Sequence, residues 1–436
     1  MSDLAAARVQ MGMSLAFHIV FTAIGIGLPL LFLIAEGIAL RTGNETYRQM
    51  ARRWGRVAAA LFAVGAVSGT VLSFELGLLW PEFMRFAGPI VGMPFSLEGF
   101  AFFTEAIFLG IYLYGWDRIS SRAHLLAGVL VALSGMLSGI FVVTANAWMN
   151  APAGFTLVDG KPTEIDPIAG MLNGAALEQT LHMTLAAYAA TGFAVAGIHA
   201  WFLLRDPTSG FHRRALVIAM LVAVPASILQ PLSGDLSARY LARHQPVKLA
   251  AAEALFETRT HAPLTMGGWP DTEAGRTRFG IEIPSGLSLL AYHDPGAEVK
   301  GLDIVPRADW PNVPLVHFAF QIMVGLGTYL AAVSLWAAWL ALRRRDPVRE
   351  RWLLRAVVVG GPGGLLAVEA GWMLTELGRQ PWTIYGVLRT ADAVTPMPGL
   401  IVPFIGITLL YCFLGVVVAW LLWSQVVTSS PEGEHA

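Results

Sequence analysis

The stretch WLLRAVVVGGPGGLLAVEAGWMLTELGRQPW, Trp352 to Trp382, decides the fold class. From 352 to 377 it is almost wholly apolar, and about 20 such residues in a helix cross a bilayer. Yet it holds two carboxylates, Glu369 and Glu376, and Arg379 follows just past its end. Ionisable groups are costly inside a membrane and by default mark a functional site. The stretch that sets the architecture therefore also points to the chemistry.

The rest of the chain extends this pattern. Of 436 residues, 55% are hydrophobic and 14% charged, against about 25% charged in a soluble protein. Mean hydropathy is +0.59. A net charge of -1 gives no sign of a nucleic-acid partner. The single cysteine, Cys412, lies in an apolar run, so neither an intrachain disulfide nor a Cys-built metal cluster is possible. Any metal must be held by His, Met or carboxylates. The opening MSDLAAAR lacks the basic region of a signal peptide, so the first apolar helix is expected to be retained.

Nine spanning segments are predicted, at 12–40, 54–80, 95–117, 122–149, 172–205, 213–232, 311–342, 352–377 and 399–424. The fold class is an all-α polytopic membrane protein. It divides into helices 1–6 (1–232), one large loop (233–310), and helices 7–9 with a short tail (311–436). No internal repeat is evident, which counts against many transporter folds. Arginines crowd the odd-numbered loops: Arg41, Arg48, Arg52, Arg53 and Arg56 in the first, Arg343, Arg344 and Arg345 in the seventh. By the positive-inside rule these loops are cytoplasmic. The N-terminus, the 233–310 loop and GRQPW are then outside, and the C-terminus inside.

On that topology most intramembrane polar residues fall in one layer, the outer half of the membrane. They are His18, Glu75, Glu98, Glu105, Asn146, His182, His317, Met323, Glu369 and Glu376. Glu98 and Glu105 are seven apart and share a helical face, as do Glu369 and Glu376; Trp372 lies one turn before Glu376. Paired carboxylates on one face suit a proton relay or cation binding. His18 and His182 each stand alone among apolar and small residues, where a flat macrocycle can approach the backbone. A lone buried histidine more often serves packing than ligation, and Met323 reads equally as core. His with Met is nonetheless an established axial pair for low-spin heme. Glu36 and His199, at the inner helix ends, offer the start of a proton path, with snorkelling to the interface the favoured reading.

Seven stretches go further: SLAFHIVFTAIGIGLPLLF (14–32), SFELGLLWPEFM (73–84), FSLEGFAFFTEAIFLGIYLYGWDR (95–118), GIFVVTANAWMNAPAGF (139–155), QPVKLAAAEALFET (245–258), FQIMVGLG (320–327) and GRQPW (378–382). Together they resemble subunit I of cytochrome bd-type quinol oxidases, of the short-loop type, with cyanide sensitivity left open. The resemblance covers nearly the whole chain. It implies a respiratory oxidase of the bacterial cytoplasmic membrane that oxidises membrane quinol and reduces O2 to water. It implies a low-spin heme b, a high-spin heme b, and heme d or a further heme b in its place. His182 and Met323 would ligate the low-spin heme. His18 and Glu376 would ligate the high-spin pair, with Glu98 beside the O2-reducing heme. Glu105 with Ser138 would supply protons, Lys248 and Glu253 would meet quinol, and Asn146, Trp372 and Arg379 would support the heme pair. A second integral membrane subunit is implied and a small single-helix subunit allowed. Gln321 replaces an Arg of some members and Glu75 a Gln, leaving Glu75 as a proton site or a helix pair; His317 has no implied role. The competing readings are a cation- or proton-coupled transporter and a heme protein limited to electron transfer.

Overall fold

The computed structural model describes residues 1–424, so the expected cytoplasmic tail lies outside the described residues. Among them, nine helices are long and apolar enough to cross a membrane. They are α1 (Asp3–Thr42), α2 (Glu45–Leu79), α3 (Pro81–Tyr114), α4 (Ser121–Asn150), α5 (Ala176–Arg205), α6 (Gly210–His244), α7 (Val313–Leu342), α8 (Arg351–Gly378) and α9 (Ile401–Leu422).

The expected segments are corrected mainly at their ends. α1 starts at Asp3 rather than 12, because Ser2 caps it by accepting from the Ala5 N–H at 3.3 Å. α3 starts at Pro81 rather than 95 and continues through Pro89 and Pro94. Spanning helices tolerate proline where neighbouring groups satisfy the freed carbonyls. α5 begins at Ala176 rather than 172, after a separate short helix, Pro167–Met171. α6 passes through Pro225 and Pro231 and ends at His244, not 232. Its 35 residues make about 52 Å of helix, well beyond a hydrocarbon core of about 30 Å. The polar run SGDLSARYLARH is thus helix, and the connection to α7 begins at Gln245.

The chain forms two compact units. One holds Met1–Arg85, Gly99–Ser138 and the described part of Val394–Ala436. In it α1 packs along α2, and α9 lies against both. Glu75 of α2 accepts from Gln10 Nε2 at 2.8 Å and Ser14 Oγ at 2.9 Å, so it clamps α1 to α2. Glu36 does not snorkel: it is 2% exposed, and its Oε1 lies 2.7 Å from His124 Nδ1. A hydrogen-bonding partner inside the fold outweighs the pull of the interface.

The other unit holds Phe86–Glu98 and Gly139–Ala393. α5 packs against α6 and α8, and α7 against α6 and α8. The small residues of α5 serve these contacts: a Cβ on Gly197 would stand 2.9 Å from Gly361 Cα, and one on Gly364 2.4 Å from Ala190 Cα. These small residues let the helix backbones touch. His199 is buried, with Nδ1 2.9 Å from His212 Nδ1, so it too stays off the interface. Between α6 and α7 lie the short helix Pro246–Glu253, three small antiparallel strand pairs and the helix Gly286–Tyr292. Leu249, Phe256, Leu287, Val299 and Leu302 give this connection a core continuous with Val313 and Val316 of α7. His317 and Gln321 tie it down. The His317 ring nitrogens face the carbonyls of Ala252 (2.8 Å) and Gly267 (3.1 Å), and Gln321 Nε2 donates to Thr265 O at 2.9 Å. Large apolar side chains such as Phe74, Phe100, Phe103 and Leu409 point outward, as lipid- or partner-facing helices require.

Candidate heme and quinol site

The α8 carboxylate of the opening stretch stands at the centre of a polar chain. Arg379 Nη2 donates to Glu376 Oε2 at 2.5 Å, and Asn146 Nδ2 donates to Glu376 Oε1. Asn150, one turn beyond Asn146 on α4, donates to Asn146 O at 3.0 Å. Lys248 Nζ then donates to Asn150 Oδ1 at 2.5 Å, and Gln245 Nε2 to Asn150 O at 2.5 Å. One hydrogen-bonded path therefore runs from Arg379 through Glu376, Asn146 and Asn150 to Lys248. Sequence reasoning placed Glu376, Arg379, Asn146 and Lys248 in the site but missed Asn150 and Gln245. The spacing of Asn146 and Asn150, four apart on one helical face, was the available signal.

Lys248 is 3% exposed. Its stem packs where a Cβ on Gly378 would meet Lys248 Cγ at 2.7 Å, so the glycine of GRQPW makes room for it. Burial first, and the Arg379 charge second, push the Lys248 ammonium down to about 7. Glu253 ends the same short helix, 1% exposed, and among the described residues both its carboxylate oxygens lack a hydrogen-bond partner. Burial pushes it up to about 8, with the Thr265 backbone opposing the rise.

The other predicted residues of this unit lie on α3, α5, α7 and α8. His182 Nδ1 is 2.9 Å from Ser233 Oγ, and its Nε2 is 3.0 Å from Gln230 Nε2. The Met323 sulfur lies 3.1 Å from where a Cβ on Gly371 would stand, beside the half-buried Trp372. Glu98 is half-buried and pairs with no cation among the described residues. In the first unit, His18 Nδ1 is 2.9 Å from Ser68 Oγ. Glu105 is buried against Gly135, where a Cβ would stand 3.2 Å from the carboxyl group. The expected partner Ser138 is half-buried three residues further along α4, while Gly135 makes the contact.

Residues 6–430 match the model of the cytochrome bd terminal oxidase subunit I family. The chain belongs to that family. It is 38% identical over 427 residues to a Bacillus subtilis (strain 168) protein provisionally named a cytochrome bd menaquinol oxidase subunit I, covering 97% of this chain and 96% of that one. It is 33% identical over 449 residues to cytochrome bd ubiquinol oxidase subunit 1 of the same organism, covering 100% and 96%. The solved structure of bd oxidase from Geobacillus thermodenitrificans superposes with a TM-score of 0.92 at 38% identity, covering 98% and 99%. Membership sets the transporter reading aside.

A cytochrome bd subunit carries heme, and the side chains present fit it. Arg379 is 2% exposed, and among the described residues its Nε and Nη1 have no partner, so two buried donors are left for an anionic group such as a propionate. The Glu376 carboxylate is oriented from both sides. Met323 sits against a glycine, and both histidines turn Nδ1 to a serine. His182 Nε2, the atom iron would take, lies here against the Gln230 amide nitrogen.

Proposed function

We propose that this chain is the heme-bearing catalytic subunit of a quinol:O2 oxidoreductase in the bacterial cytoplasmic membrane, working with a second integral membrane subunit and allowing a small single-helix one. The observation that carries the proposal is the path from Lys248 to Glu376 and Arg379, with its unsatisfied donors at the Arg379 end. It joins the residues implied for quinol to those implied for heme.

In this reading His182 and Met323 hold a low-spin heme b. His18 and Glu376 hold a high-spin heme b and heme d, or a further heme b in its place. Bound heme would supply electron transfer from quinol and a binding place for O2. The protein's own groups do the rest. Glu253, buried and without a hydrogen-bond partner among the described residues, is held near 8, and its ionised form accepts a proton from a quinol hydroxyl. Lys248, held near 7, orients the other quinol oxygen. Arg379 and Asn146 fix the Glu376 carboxylate, and Trp372 walls the same face. Glu105, with Ser138, and Glu98 hold protons on their way to O2.

The connection between α6 and α7 faces outside, as do the N-terminus and GRQPW, and the C-terminus is cytoplasmic. In support, Arg205 over Trp201 (4.3 Å), Arg343 over Trp339 (5.7 Å) and Arg355 over Trp352 (4.5 Å) form an aromatic and basic belt at the helix ends assigned to the cytoplasm. Quinol then releases protons outside, and O2 reduction takes them from inside. Charge separation follows from that placement without a pump.

The test is O2 uptake by the purified complex with ubiquinol or menaquinol analogues, with Glu253→Gln as comparison. Quinol-driven uptake that falls at least tenfold in the variant supports the reading. Equal uptake removes Glu253 from it, and no uptake by the parent complex overturns it.

A further inference from the structure

His18 and His182 share a device that the function above does not use. In each case the histidine lies on one helix and a serine on the next: His18 of α1 with Ser68 of α2, His182 of α5 with Ser233 of α6, both at 2.9 Å from Nδ1 to Oγ. The separations in sequence are 50 and 51 residues. A glycine follows each serine at the ring edge. A Cβ on Gly69 would reach 3.1 Å from His18 Cε1, and one on Gly234 3.7 Å from His182 Cε1. The arrangement occurs once in each unit, a recurrence the sequence alone did not reveal.

Proton counting fixes its chemistry. A serine hydroxyl has one proton to donate. Ser68 gives it to the Val64 and Gly65 carbonyls (3.0 and 3.1 Å), and Ser233 to the Gln230 carbonyl (2.8 Å). With its proton committed to a carbonyl, each serine oxygen accepts from histidine, the arrangement in which Nδ1 carries the ring proton and Nε2 keeps its lone pair. At His182 a second contact agrees. The Gln230 amide nitrogen, a donor only, lies 3.0 Å from Nε2. It also donates to His182 O at 3.2 Å, which settles which end of the amide faces the ring.

We propose that Ser68 and Ser233 are positioning residues for heme ligation. Each accepts Nδ1–H of its histidine, selects the tautomer that presents Nε2 to iron, and, with the glycine after it, sets the ring plane. This rests on the reading of His18 and His182 as heme ligands. A ring that donates from Nδ1 is a stronger electron donor at Nε2, which favours the oxidised iron. The serines therefore hold their hemes' midpoint potentials down.

The test uses the intact complex with its partner subunit. Ser233→Ala is expected to raise the midpoint potential of the low-spin heme and shift its magnetic-resonance signature, leaving the other hemes unchanged. Ser68→Ala is expected to move one high-spin heme alone. Ser→Thr, which keeps the hydroxyl, restores each signal toward the parent. Should an Ala variant fail to accumulate, Ser→Cys, a weaker acceptor, gives a smaller upward shift. Alanine or cysteine variants with bound heme and parental potentials overturn the proposal, as do shifts spread evenly over all hemes. The underlying reading fails differently: His182→Ala would then keep the low-spin signature.

Discussion

Replacing Arg379 by Gln probes the centre of the site. Arg379 is 2% exposed, and the Glu376 side chain keeps 26% of its surface. Breaking a fully buried ion pair by removing one partner costs about 3–5 kcal/mol, and a hydrogen bond to a charged group is worth about 1.5–3 kcal/mol. Glu376 is a quarter exposed and keeps its bond from Asn146, so the lower range applies. A loss of about 2 kcal/mol is about 30-fold in an equilibrium constant. That loss falls on the orientation of Glu376, and so on retention of the heme it holds. The assay is transfer of heme from the purified complex to an apo-globin scavenger, followed by absorbance. Arg379→Gln is expected to weaken one high-spin heme by about 30-fold and leave the low-spin heme bound. Arg379→Lys keeps the charge without the planar fork and should fall between. Parental retention of every heme in Arg379→Gln would refute the role given to the pair.

Glu253 is held at about 8 against an ordinary 4.5, so between those values the folded protein binds more protons and stability falls as pH rises. Glu253→Gln should remove that slope from thermal melts of the complex. Lys248 has the opposite sign: held at about 7 against 10.5, it makes stability rise across that window, and Lys248→Met should flatten the rise. Asn150→Leu leaves Lys248 Nζ and Gln245 Nε2 without their acceptor, at about 2–5 kcal/mol; a midpoint unchanged from the parent would contradict the network. Glu105→Ala should cut O2 uptake by about a hundredfold or more while heme content stays near parental; full turnover would end its proton role. Gly371→Val pushes on the Met323 sulfur, 3.1 Å from the new Cβ, and should diminish the low-spin spectrum.

The helices were legible because bilayer thickness imposes a long apolar run on each. The helix ends were not. Polar extensions such as 233–244 remain helical without an apolar signature, and the start of α3, which carries Pro89 and Pro94, lies ahead of the apolar run that marks the span. In the site, Glu376 and Arg379 were legible as charges where charges are costly. Asn150, Gln245, Ser68 and Ser233 were not, because neutral polar residues in helices are common and only their partners distinguish them. Glu36 and His199 were misread for a related reason: the buried partners that hold them come from distant or neighbouring chain that sequence depth alone does not pair.

The most direct measurement is the reduced-minus-oxidised absorption spectrum of the purified complex, parent beside His182→Ala. The account predicts a low-spin b band together with high-spin heme in the parent, and selective loss of the low-spin band in the variant. A complex without heme, or a variant with an unchanged low-spin band, would contradict it.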